Sequence, residues 1–156
     1  MTAIIFNGEF NSSIPYVLPE SLELLFLSAQ FNYSINMFMV PENLKYLQAS
    51  GDLHNKPLIS NLPRTCIYLE ILGKLQFSMD NLPDSLEMLF LNFYDSSIFY
   101  GDTPNVSQNN LPFKLKKIKV LDRNLCKFLE KIPFGCEVVD QYDKIISEEE
   151  IKSFFL

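Results

Sequence analysis

The sequence predicts a single-domain solenoid in which stacked repeats form one curved parallel β-sheet on the concave side, an irregular convex side and a short C-terminal capping helix. Three observations predict this fold. An aliphatic residue followed by proline recurs at intervals of about 22 residues. Each copy then continues with alternating aliphatic residues, as in a strand with one buried side. The pattern after residue 143 becomes helical, and 156 residues suffice for one continuous core.

The proline-led motif opens six copies of the repeat. After Pro19, an aliphatic residue stands three positions on, at Leu22, and the pair Leu25 and Leu27 comes next. One chance match would mean little, but six matches in register indicate a true repeat. The six motifs are Leu18-Pro19, Val40-Pro41, Leu62-Pro63, Leu82-Pro83, Leu111-Pro112 and Ile132-Pro133.

The weakest copies lie at the two ends of the array. The last copy keeps Val139 at the first strand position but places Gln141 at the next one. Met1, Ile4 and Phe6 form a first copy that lacks its proline. We therefore expect one domain over residues 1–156, with about seven repeats of about 22 residues in 1–142 and a cap in 143–156.

Stacking follows from the chemistry of one repeat. The regular aliphatic residues of a short strand point to one side, and a single copy cannot bury them. Parallel strands about 4.8 Å apart merge these side chains into one core, in a sheet about 30 Å wide. The segments expected to close this core from the far side and to turn the chain are Phe10-Asn11 with Ile14 and Phe31-Asn32 with Ile35.

The segment from Leu18-Pro19 to Phe31-Asn32, with its recurring Phe-Asn-x-x-Ile, resembles the FNIP repeat, a relative of leucine-rich repeats. The resemblance implies a leucine-rich-repeat-like solenoid that serves protein–protein recognition. The family is frequent in social amoebae and their giant viruses. Independently of the resemblance, three cysteines with no close pairing favour a reducing compartment, so a cytoplasmic protein is expected, in the host cytoplasm for a viral member. Members often carry an F-box ahead of the repeats and serve ubiquitin ligases. The repeats here begin at Met1, so no F-box is expected.

One repeat is longer than the others. The unit between Pro83 and Pro112 carries extra residues at 99–110, a polar stretch that contains Gly101 and Pro104. This composition is typical of a loop, and a tolerated surface loop is the favoured interpretation. The alternative is an insertion that contributes to a binding face, as happens in repeat arrays.

A capping helix is expected at the C-terminal end of the stack. Ser147 followed by Glu148–Glu150 forms a capping box, and Ile151, Phe154 and Phe155 follow on one helical face. A helix over Ser147–Leu156 would therefore cover the open end of the core.

The N-terminal strand is expected to be an edge. Nothing covers Thr2–Phe6, and its sequence is apolar. Bare edges pair readily, so this strand is expected either to pack on a second copy in a homodimer or to be poorly ordered.

Nothing in the sequence predicts an enzyme, a cofactor or a metal site. His54 stands where the repeat expects asparagine, which favours a turn residue over a catalytic one. Cys66 and Cys136 take the first aliphatic position of their repeats and are expected to be small core residues, whereas Cys126 has no clear role. Paired Cys-x-x-Cys motifs, spaced histidine ligands and glycine-rich phosphate loops are absent from the sequence.

Residues between the core aliphatics are expected to face the open concave side. The residues of this face chosen as the partner-binding surface are Leu24, Phe26, Tyr46, Tyr68, Met88 and Phe90. Its other expected members are Ile5, Gln48, Glu70, Lys117, Lys119, Val138 and Asp140. A contiguous aromatic patch favours an interaction site. The alternative is that these side chains only pack on one another, or are buried by self-association.

The net charge and the hydropathy of the sequence argue against some classes of binding partner. A net charge of -6 argues against nucleic acid and anionic membranes, and no run of about 18 apolar residues is present to span a bilayer. The basic run at Lys114, Lys116, Lys117 and Lys119 is expected to be solvated. The sequence therefore predicts a non-enzymatic, cytoplasmic module that binds another protein through the concave face. The alternative is a structural protein that self-associates through its N-terminal strand or that face.

Overall fold

The computed structural model describes residues 1–14, 17–31, 33–35, 40–93 and 106–156. Seven strands form one sheet in chain order, and every neighbouring pair is parallel. The predicted solenoid with a parallel sheet is therefore confirmed. The strands are β1 (Thr2–Ile5), β2 (Leu22–Phe26), β3 (Tyr46–Ser50), β4 (Tyr68–Leu72), β5 (Met88–Asn92), β6 (Lys117–Val120) and β7 (Glu137–Val139).

Helical structure is sparse among the described residues. Two 3₁₀ turns, Leu53–Asn55 and Arg123–Phe128, and a short helix α1 (Lys56–Ile59) lie between strands, and α2 (Glu148–Ser153) follows the last strand. His54, expected at a turn, lies exposed in the first 3₁₀ turn. The prediction of an irregular far side thus agrees with the described connections.

The recurrent proline begins a tight turn before each strand. In each of the six copies its carbonyl accepts a hydrogen bond from the backbone N–H three residues on, at distances of 2.9 to 3.2 Å. Because proline has no N–H to contribute and a fixed φ, it suits this position. The aliphatic residue that closes the turn, such as Leu22 or Leu44, is then fully buried at the start of the core.

A set of side-chain hydrogen bonds also joins successive turns, and these bonds were not predicted from the sequence. The hydroxyl of Thr65 donates to the carbonyl of Leu44 at 2.9 Å, and that of Ser85 donates to the carbonyl of Cys66 at 2.7 Å. The amide of Asn43 reaches back to the carbonyl of Glu20 at 2.9 Å. A short polar residue stands two positions after each of the first four repeat prolines, and this pattern could have predicted the hydrogen bonds.

The core runs the length of the stack behind the sheet. In each central strand the two predicted aliphatic positions are buried, as with Leu47 and Ala49, both fully inaccessible. At the N-terminal end Phe6, Phe10 and Phe31 stack on one another, with ring centroids 4.4 to 6.1 Å apart. Phe10 and Phe31 therefore close the core as predicted, whereas Asn32 lies outside the described residues.

The register of the last strand corrects the sequence analysis. Val138 pairs with Ile118 and is 3% exposed, so it is a core residue. Val139 instead pairs with Lys119, on the side of the sheet away from the core. The predictions that Val139 fills the core and that Val138 lies on the concave face were wrong by one residue.

The cause of this shift lies in the turn before the strand. In three earlier copies, two successive N–H groups share one carbonyl: Ile67 and Tyr68 donate to Lys45, Glu87 and Met88 to Ile67, and Lys116 and Lys117 to Glu87. In the last copy Glu137 alone bonds the carbonyl of Lys116, at 2.9 Å, after Gly135 in a left-handed conformation at φ 77°. The last repeat thus uses one residue fewer between turn and strand.

The insertion in the long repeat is partly anchored. Residues 99–105 lie outside the described residues, but Gln108 is 1% exposed and bridges two segments. Its side-chain oxygen accepts from the N–H of Met79 at 2.7 Å, and its amide donates to the carbonyl of Phe77 at 3.1 Å. The interpretation as a surface loop was therefore wrong for Gln108, whereas Asn109 and Asn110 are exposed.

The capping helix begins where predicted and is shorter than predicted. The Ser147 hydroxyl accepts from the N–H of Glu150 at 3.2 Å, and Ile151 is buried against the core. Phe154 packs partly on that core, but Phe155 is 49% exposed. The helix ends at Ser153, so Phe155 is not part of a buried helical face.

An ion-pair network ties this cap to the last repeats. The guanidinium of Arg123 donates to Asp140 at 2.6 Å and to Glu150 at 2.5 Å. The Asp140 carboxylate also accepts from the N–H groups of Tyr142, at 2.9 Å, and Lys144, at 3.0 Å. Asp140 is only 6% exposed, so it is an anchor for the cap and not, as predicted, a member of the concave face.

This network predicts a loss of stability in acid. Hydrogen bonds from Arg123, and then from the Lys144 and Tyr142 amides, hold the pKa of Asp140 below its usual value of about 3.9. The unfolded chain therefore binds a proton at higher pH than the folded chain does. The stabilising contribution of Asp140 should be complete above the usual pKa and fade as the pH falls toward the lower folded-state value. Urea unfolding across this range should show a shallower pH dependence for Asp140→Asn than for wild type, and equal slopes would contradict the assignment.

Candidate binding face

The side of the sheet away from the core, here called the open face, carries two rows of side chains. The strand register aligns the first row across β2 to β6 as Leu24, Tyr46, Tyr68, Met88 and Lys117. It aligns the second as Phe26, Gln48, Glu70, Phe90 and Lys119. The six residues predicted to bind a partner are therefore brought together on one surface, and each is half-buried.

Position in the sheet explains the half-burial of these side chains. Each stands between neighbours about 4.8 Å away on adjacent strands, which cover its flanks and leave its tip accessible. The rings of Tyr46 and Tyr68 show this packing, with centroids 5.9 Å apart and planes tilted by 41°. Packing along the rows pre-orders the rings, so little side-chain entropy remains to be lost when a partner covers them.

A fixed carboxylate lies in the middle of this apolar surface. Glu70 accepts a hydrogen bond from the Tyr68 hydroxyl at 3.2 Å and one from the Asn92 amide at 2.5 Å. Burial, followed by the nearby Glu70 charge, raises the pKa of Tyr68 well above its usual range, so the phenol stays a donor. Asn92 was not among the predicted site residues; it stands one residue beyond the core position Leu91, at the end of β5.

A basic flank borders the apolar rows on the side of β6. The Lys119 ammonium lies 5.7 Å from the centroid of the Phe90 ring and 3.0 Å from the Asp143 carboxylate. Its side chain is only 20% exposed, so the prediction that the basic run is simply solvated was wrong for Lys119. Lys116 does remain exposed, in a surface pair with Glu87 at 2.8 Å.

The cysteines are placed for packing. Cys66 and Cys126 are fully buried, and burial raises the pKa of Cys66 to about 12 and that of Cys126 to about 11. A thiol with such a pKa holds its proton at neutral pH and is a poor nucleophile. Cys66 fills the core as predicted, and Cys126, whose role the sequence left open, does the same. Cys136 is only partly buried, at the edge of the core.

Within the described part of the chain, no group of three or more potential ligands is placed to hold a metal ion. In the same part, no helix is long and apolar enough to cross a bilayer. Comparison with known proteins gives no match: no family model, no curated protein and no solved structure matches this chain.

Proposed function

We propose that this chain is a non-enzymatic interaction module that binds another protein through the open face. The observation that carries the proposal is the contiguous half-buried surface formed by Leu24, Phe26, Tyr46, Tyr68, Met88 and Phe90. Large aromatic and methionine side chains are enriched at the centres of protein interfaces, and monomers rarely expose such patches without a use.

Charge on the same face indicates the chemistry of the partner. Glu70 accepts hydrogen bonds from Tyr68 and Asn92, and Lys117 and Lys119 lie on β6, beside the apolar residues. A partner that places an apolar ridge over the rings, a basic group at Glu70 and an acidic group at the lysines would complement both signs. Such complementarity contributes mainly specificity and association rate, while the buried rings contribute affinity.

The resemblance of the repeats to FNIP repeats supports this proposal, because that family is similar to leucine-rich repeats in serving protein recognition. We also propose a cytoplasmic location. All three cysteines are free thiols, which suits a reducing compartment.

The second candidate function is a structural one, in which copies of the chain associate. The observation that favours it is the edge strand β1, where Thr2, Ala3 and Ile5 are exposed, Ile5 to 68%. An unpaired edge offers N–H and C=O groups to another strand. The acidic net charge of -6 opposes close association of identical chains, so this function ranks second.

The experiment is partner capture from a lysate of the source organism with a triple variant, Tyr46→Ser/Tyr68→Ser/Phe90→Ser. Removing three anchors from the centre of the interface should weaken capture by about 30-fold or more. The core behind the sheet is untouched, so the circular dichroism spectrum should be retained. The matched control is Val17→Ser/Leu53→Ser/Tyr142→Ser, which removes exposed apolar side chains elsewhere. Capture that survives the first triple change, or that both triples abolish equally, would contradict the proposal.

A further inference from the structure

The turn position directly after each repeat proline carries an unexpected pair of aromatic residues. In the first four copies this position is charged, with Glu20, Glu42, Arg64 and Asp84. In the last two copies it holds Phe113 and Phe134, which are 67% and 103% exposed. The turn itself is closed by backbone atoms in each copy, so it does not require phenylalanine. Two large rings in water on successive turns suggest a contact surface.

These two rings border an open groove at the C-terminal end of the solenoid, here called the cap groove. It has a volume of about 1190 Å³ and lies between the turns of the last repeats and the cap. Ile145 and Phe155 also line it, and they are 67% and 49% exposed. Pockets for small molecules usually enclose about 300–1,000 Å³ and bury most of the ligand. A larger, open groove with four exposed apolar side chains better suits a segment of polypeptide.

The charged residues around the cap groove indicate the chemistry of the ligand that it would bind. Its acidic lining residues are Asp80, Asp84, Glu130, Glu137 and Glu148, and its basic ones are Lys131 and Lys152. Lys152 already pairs with Glu148 at 3.4 Å. The rim therefore has an excess of negative charge around an apolar floor, which favours a ligand that combines apolar side chains with positive charge.

We propose that the cap groove docks a short segment of another protein, with large apolar side chains flanked by lysine or arginine. A second copy of this chain is a poor occupant, because its net charge is -6 and it would bring a second acidic rim. Three of the four lysines in its own basic run are also engaged: Lys114 lies 5.5 Å from the centroid of the Phe113 ring, Lys116 pairs with Glu87, and Lys119 pairs with Asp143. The groove contains none of the six residues proposed to bind a partner on the open face, so the two surfaces are testable separately.

The test uses random peptides displayed on phage, selected against the full chain, followed by binding measurements with labelled copies of the enriched peptides. Peptides that combine aromatic or aliphatic residues with net positive charge should be enriched. The variant Phe113→Ser/Phe134→Ser should bind them about 30-fold or more weakly, since it removes two aromatic anchors. The variant Glu130→Gln/Glu137→Gln should bind them about threefold to tenfold more weakly at low salt, with the difference shrinking as salt rises.

Two controls separate this groove from other apolar surfaces. Val17→Ser/Leu53→Ser removes exposed apolar side chains outside the groove and should leave peptide binding unchanged. The open-face triple variant should also bind the peptides normally. Enrichment of acidic peptides, equal binding to Phe113→Ser/Phe134→Ser and wild type, loss of binding in the open-face variant, or no enrichment at all would each overturn the proposal.

Discussion

Replacing Phe31 with alanine is expected to lower the free energy of unfolding by about 3–5 kcal/mol. The side chain is fully inaccessible and packs between coils, with its ring centroid 6.1 Å from Phe6, 6.0 Å from Phe10 and 6.4 Å from Tyr33. Alanine would remove this burial and leave a cavity that the stacked coils can close only partly. Domains of this size are stable by about 5–15 kcal/mol, so the loss is a large fraction of the whole.

Urea unfolding followed by circular dichroism measures this loss. The matched control is Phe134→Ala, since that ring is fully exposed and its removal should change stability by no more than about 0.5 kcal/mol. Phe31→Leu should have a smaller cost than Phe31→Ala and provides a measurable variant if the alanine variant does not fold. Equal stability of Phe31→Ala and Phe134→Ala would show that the aromatic stack does not hold the N-terminal coils together.

Substituting Gly51 by alanine is expected to destabilise the fold by about 3 kcal/mol or more. An added Cβ would clash with the carbonyl oxygen of Lys74 and lie 2.9 Å from the Cα of Leu75, both in the backbone of the next coil. Gly51 is also bonded to that coil, donating to the Leu72 carbonyl and accepting from the Gln76 N–H, each at 2.9 Å. The new methyl group must therefore push two hydrogen-bonded coils apart.

A second glycine provides the control for this substitution. An alanine Cβ at Gly8 would meet nothing within 4 Å, so Gly8→Ala should change stability by less than about 1 kcal/mol. Hydrogen exchange adds a local signal, because the amide of Gln76 should lose protection in Gly51→Ala and keep it in Gly8→Ala. If the two alanine variants unfold at the same urea concentration, the close approach of the coils at Gly51 is wrong.

The architecture was predictable because its determinants are local and repeated. The proline, the aliphatic residue three positions on and the strand alternation lie within one short stretch of sequence, so their period identifies both the turn and the buried side of the strand. The rows of the open face follow from the same alternation. Leu24, Phe26, Tyr46, Tyr68, Met88 and Phe90 were therefore placed correctly, although their role remains a proposal.

The misplaced features depend on conformation or on contacts between distant residues. Val138 is shifted because, after Gly135, only one N–H group donates to the carbonyl that two N–H groups share in earlier repeats. The spacing of residues in the sequence does not reveal this difference. Asp140 looked like a surface residue because its partner Arg123 belongs to the preceding repeat. Gln108 lies in a polar stretch, yet its anchor Met79 is in an earlier coil. The exposed Phe113 and Phe134 could have been noticed in the sequence, because they replace charged residues at the turn position directly after the repeat proline.

The central claim is that the open face is free to bind another protein and is not already covered by a second copy of this chain. Size-exclusion chromatography with light scattering, over a range of concentrations, tests it on wild type and on Phe26→Ser/Phe90→Ser. Our account predicts the monomer mass for both proteins at every concentration. A wild-type dimer that the double variant disperses would show that the face is used for self-association and would contradict the claim.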